Sequence, residues 1–97
     1  MNIHQKDLQG LLDHLHAVEG NFPLRFLGLL PRGVAAHVLE DQAVDLLAEK
    51  LPGLSLTGVT GAEIELSKRL NRPVGIVLTS ELRGREREEV LSQVQPL

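Results

Sequence analysis

Apolar residues near the start of the chain recur at helical spacing. Leu8, Leu11, Leu12, Leu15 and Val18 lay one stripe along a helix predicted from about Lys6 to Glu19. Gly20-Asn21 stops it, because both residues tolerate the left-handed backbone that ends helices. The period then changes. Leu24 to Leu30 is a nearly continuous apolar run, broken by Arg25, and predicts a buried strand. Pro31 cannot donate to a sheet and suits the first turn of a helix, so Val34 to Glu40 reads as a short helix or an irregular connection. Ala43 to Glu49 predicts a second strand, closed by the turn dipeptide Pro52-Gly53.

The next helix has two candidate starts. Thr60-Gly61-Ala62-Glu63 fits a capping box, in which hydroxyl and carboxylate each satisfy a free backbone N–H. A cap at Ser55 or Thr57 starts the helix one turn earlier. Val59, Ala62, Leu66 and Leu70 share a face, and Asn71 with Pro73 ends the element. Val74, Ile76 and Leu78, with Gly75 and Val77 between them, predict a third strand buried largely on both sides. A final helix, about Arg83 to Val94, exposes Arg85 to Glu89 and buries Val90, Leu91 and Val94. The order αβαβαβα over residues 1–97 predicts a single α/β (α+β) domain, a small mixed sheet of about three strands flanked by helices.

Composition narrows the function classes. The 97 residues are 42% hydrophobic and 24% charged, as in an ordinary globular domain. The only aromatics are Phe22 and Phe26, so the core is built from Leu, Val, Ile and Ala, and single-stranded nucleic acid finds no stacking platform. A net charge of −3 gives no global pull towards phosphate backbones. The absence of cysteine excludes disulfides, thiolate zinc sites and cysteine nucleophiles. The Leu24 to Leu30 run is far too short to span a bilayer, and Met1 to Asp7 lacks the basic and apolar regions of a secretion signal. The expectation is a cytoplasmic protein with no nucleic-acid or membrane partner.

The polar candidates read mostly as surface. His14 and His16, two apart on a helix, point about 200° away from each other and do not share a metal. His4 and His37 stand alone. The Arg85 to Glu89 run is a solvated helix face with Arg85 and Glu89 spaced for an i,i+4 pair. Ser55, Ser67, Ser80 and Ser92 are explained by caps, helix faces or termini. Gly58 and Gly61 are not followed by a lysine at phosphate-loop spacing.

One longer pattern carries more. It comprises Val44-Asp45-Leu46-Leu47, Pro52-Gly53-Leu54-Ser55-Leu56, Glu63-Ile64-Glu65-Leu66, Leu70-Asn71-Arg72-Pro73-Val74 and Glu86-Arg87-Glu88-Glu89-Val90-Leu91. Through these, Leu27 to Leu97 resembles the minimal nucleotidyltransferases of the DNA polymerase β superfamily, which often pair with HEPN-domain proteins. The resemblance implies a nucleotidyltransferase-like fold and transfer of a nucleoside monophosphate from a triphosphate. That chemistry uses a Gly-Ser pair at a helix N-terminus to receive phosphate. It also uses two carboxylates spaced Asp-x-Asp on one strand, and hence on one face, with a third from the neighbouring strand. Together the acids hold two Mg²⁺ ions about 3.5–4 Å apart.

Carried over residue by residue, most of this constellation is missing. The Gly-Ser pair falls on Pro31-Arg32, which removes one phosphate-facing N–H and the close-approach glycine. Asp-x-Asp falls on Ala43-Val44-Asp45, leaving Asp45 alone. The third carboxylate falls on Gly75. Asp41 shares strand parity with Asp45 but lies about 13 Å away along an extended chain, too far to bridge one metal with it, and Glu40 and Glu49 are no better placed. Losing the paired-metal clamp removes several kcal/mol of transition-state stabilisation, or many powers of ten in rate.

The resulting expectation is a catalytically degenerate nucleotidyltransferase-like protein with no catalytic residues, no metal and no cofactor. It acts as a binding or regulatory subunit, and the resemblance implies a HEPN-type partner with this chain on the antitoxin side. Self-association is a further possibility. Arg32 and Asp45 are candidates for residual nucleotide contact, Arg32 as a cation against phosphate. The alternative is a working enzyme that transfers AMP from ATP with Mg²⁺ to a protein partner.

Overall fold

The computed structural model describes residues 5–31 and 43–97. The expected connection at Val34 to Glu40, with Arg32, His37, Asp41 and the early His4, lies outside those residues. The described chain runs α1 (Gln5–Glu19), β1 (Leu24–Leu30), β2 (Val44–Lys50), α2 (Leu56–Leu70) and β3 (Val74–Leu78). A 3-10 turn (Thr79–Glu81), α3 (Gly84–Gln93) and β4 (Gln95–Pro96) follow. The strands form one mixed sheet in the order β3-β2-β1-β4. Strands β2 and β3 are parallel, joined through α2, and β1 is antiparallel to both β2 and β4. The expected mixed α+β architecture holds, with four strands where about three were expected. The fourth is two residues long, too short to leave a periodic signal.

Helices α1 and α2 sit where their apolar stripes predict. Leu15 and Val18 of α1 and Ala62 and Leu66 of α2 are buried against Phe26, Leu46, Ala48, Val74 and Ile76 on one face of the sheet. The opposite face carries a smaller cluster, in which Leu30, Leu47 and Val77 pack under Leu82 and Val90. Leu91, expected in the core, is exposed. The helix ends at Gln93, and Val90 and the partly buried Val94 fill the available space. The Arg85–Glu89 pair does not form. Arg87 instead donates from Nη1 to the Thr79 carbonyl (3.1 Å), and the ion pair among the described residues joins Glu65 to Arg69 on α2 (3.8 Å).

The start of α2 settles on the earlier of its candidate caps. Ser55 is the N-cap, its Oγ accepting from the Gly58 N–H at 3.0 Å. The box expected at Thr60 does not form, because helix already surrounds it: Thr60 Oγ1 donates back to the Leu56 carbonyl (3.2 Å). Leu54, buried just before the cap, anchors the chain so that Ser55 enters first. At the other end Asn71 takes the left-handed conformation (φ 55°) and closes the helix.

Strand β1 is irregular in the middle. Phe26 pairs with Ala48 and Gly28 with Leu47, so Leu27 is an extra residue in a β-bulge. Beyond the bulge the tail crosses closely over Gly28. A Cβ placed there would stand 2.5 Å from the Gln95 carbonyl oxygen and 2.5 Å from Val94 Cγ2, so glycine is what lets β4 reach its partner. Among the described residues, no helix is long and apolar enough to cross a membrane.

Candidate functional site

The positions carried over from the resemblance meet at one end of the sheet. Asp45 on β2 is in register with Leu30 on β1 and with Gly75 on β3. Residues paired across a ladder point to the same side, so Leu30, Asp45 and Gly75 form one row across three strands. By alternation that row shares its face with Leu47 and Val77, the side of the smaller cluster. Pro31 follows Leu30 directly and is exposed. Ala43, two residues before Asp45, is half-buried and lies just off the start of β2. Four of the five carried-over positions are therefore neighbours in register or in sequence, and the fifth, Arg32, lies outside the described residues.

Asp45 is the only polar or charged side chain buried among the described residues, at 4% exposed. A carboxylate at such depth is costly to keep ionised without compensating interactions, which sets it apart from every other acid described here. Its strand neighbours Val44 and Leu46 belong to the helical-face core, and Asp45 points the other way.

The described residues do not fit a two-metal centre. Divalent magnesium takes oxygen donors in octahedral array, usually one or two carboxylates with substrate phosphates. The donor set along the row is one carboxylate flanked by the side chains of leucine, alanine and proline and by a glycine. No group of three or more His, Asp or Glu placed to hold a metal ion occurs among the described residues. On α1, His14 is half-buried and His16 exposed, on opposite sides of a buried Leu15.

Sequence reasoning missed a different use of carboxylates. Three glutamates accept from strand amides: Glu19 of α1 from Phe26 N (2.7 Å), Glu63 of α2 from Ile76 N (2.8 Å) and Glu81 from Leu78 N (3.1 Å). Glu63 stood in the pattern as a capping residue. Only the packing of α2 beside β3 shows that its acceptor atoms go to the sheet.

The fold is similar to that of a solved structure described as a "putative minimal nucleotidyltransferase". The TM-score is 0.74 at 22% sequence identity, over 99% of this chain and 98% of the other. The chain thus has a minimal nucleotidyltransferase-like fold, and the likeness takes in the N-terminal α1, which the sequence resemblance from Leu27 onwards did not reach. No protein-family model matches the sequence, and no curated protein matches it.

Proposed function

We propose that this chain is a nucleotidyltransferase-like protein without catalytic activity, retained as a binding or regulatory subunit. Its partner is a HEPN-type protein, with this chain in the antitoxin position. One observation carries the reading: in the row where three strands meet, Asp45 is the sole acid, and Ala43 and Gly75 stand where the resemblance calls for its companions. A scaffold that keeps its sheet while lacking the clamp for attacking and leaving oxygens is suited to recognition rather than to phosphoryl chemistry. The partner rests on the resemblance alone. Arg32 and Asp45 remain the residues proposed for residual nucleotide contact.

The test is incubation with Mg²⁺ and labelled ATP, with and without a HEPN-type protein encoded beside this chain. The expected result is a stable complex and no label transferred to either protein. Transfer that disappears in Asp45→Ala establishes the alternative, a working AMP transferase. Absence of a complex removes the regulatory role and leaves the fold.

A further inference from the structure

Among the described residues β3 is the outer strand of its sheet, and although its five residues are buried, nothing in its own sequence guards its backbone edge. Its five residues, Val74 to Leu78, are apolar or glycine, carry no charge and contain no proline. Once its backbone edge is uncovered, such a strand is a template for pairing with another chain. The parallel ladder to β2 fixes which backbone groups remain available. Val44 N–H donates to the Pro73 carbonyl (2.9 Å), which sets the alternation so that Val74, Ile76 and Leu78 turn their amides away from β2.

Two of those three outward amides are taken by side chains. Glu63 reaches from α2 to the Ile76 N–H, and Glu81 folds back from the 3-10 turn to the Leu78 N–H. They arrive from different elements, and each acceptor occupies the position that the carbonyl of an added strand needs. The opposite edge of the sheet is treated similarly: Glu19 holds the Phe26 N–H, and β4 pairs with the outer side of β1 at Gly28 and Leu29.

We infer that Glu63 and Glu81 act together as a guard that closes the β3 edge against strand addition. The pairing they hold off is β3 against β3 of a second copy. The same segment supplies both sides of that pairing, with no like charges to oppose it. An added strand must displace two charge-assisted hydrogen bonds, stronger than the neutral bonds it offers in exchange. Removing the acceptors opens the donors without altering any buried apolar side chain.

The experiment compares the wild-type chain with Glu63→Ala/Glu81→Ala and Glu63→Gln/Glu81→Gln. Mass is measured by light scattering over a wide concentration range, and amide exchange at Ile76 and Leu78 is followed by NMR. In the alanine variant, mass should rise with concentration to twice the wild-type value, and protection at those two amides should rise with it. The glutamine variant keeps a carbonyl acceptor at each site and should keep the wild-type mass. An alanine variant that is folded, exchanges rapidly at both amides and holds the wild-type mass at every concentration overturns the inference. So does a mass increase that leaves the β3 amides unprotected. If the double alanine variant does not fold, Glu63→Ala alone decides: a weaker rise with protection at Ile76 supports the guard, and an unchanged mass refutes it.

Discussion

On the face covered by α1 and α2, Phe26, Leu46, Ala48, Val74 and Ile76 converge on one apolar cluster sealed by two helices of fifteen residues each. On the other face the same strands offer Leu47 and Val77 beside Asp45 and Gly75, with α3 as the described helix against them. The first arrangement is a complete packing unit. Among the described residues the second is smaller, and it carries a buried carboxyl group and a glycine where the first carries methyl groups. Stability is therefore concentrated on the helical face, and the face bearing the candidate site has more freedom to change its residues without losing the fold. A scaffold divided in this way can hold its fold while residues on the smaller face change.

Leu46 and Leu47 test that division directly, since they are adjacent, both essentially fully buried, and point to opposite faces. Leu46→Ala should cost towards the upper end of about 2–5 kcal/mol, and Leu47→Ala towards the lower end, because a smaller cluster can collapse around the void. Equal losses by urea denaturation would break the comparison. Gly28→Ala comes next. Its methyl group meets Gln95 and Val94, and overpacking of this kind costs about 1–3 kcal/mol. Faster amide exchange at Gln95 and Leu97, with the helical face unchanged, is the expected signature, and global loosening would count against independent faces.

Smaller effects lie on α2, within the well-packed half. Ser55→Ala removes the cap on Gly58 and should destabilise by about 1 kcal/mol, while Thr60→Ala should change little, because Thr60 does not cap. The reverse ranking would mean that the helix starts a turn later than described. Asn71→Gly should stay within a few tenths of a kcal/mol of wild type, since glycine accepts φ 55° at least as well. Asn71→Val should cost more, because a branched side chain resists the left-handed region.

The parts of the fold set by local periodicity were legible in the chain. The stripe of α1, the runs of β1 and β3 and the stop at Asn71 each depend on residues within a few positions of one another. The start of α2 was ambiguous because Ser55, Thr57 and Thr60 all offer a hydroxyl, and the choice depends on Leu54 finding the core. The two-residue β4 had no period to display. The site was legible by resemblance as a set of positions, but the register that sets Asp45 against Gly75 has no local code. It follows from how β2 and β3 settle around α2. The strand-edge glutamates were hidden for the same reason, since Glu63 looks like any helix acid until the sheet lies beside it.

The extra residue at Leu27 has a consequence for the site several positions away. Deleting it would make β1 commensurate with β2, and Phe26, Gly28, Leu29 and Leu30 would keep both their partners and their sides. What changes is direction: the bulge bends β1 and adds twist between Phe26 and Gly28, so without it Leu30 and Pro31 would leave the sheet along a different line beside Asp45. A one-codon deletion in a stretch with no chemistry of its own would re-aim the strand end beside Asp45 while leaving every pairing intact.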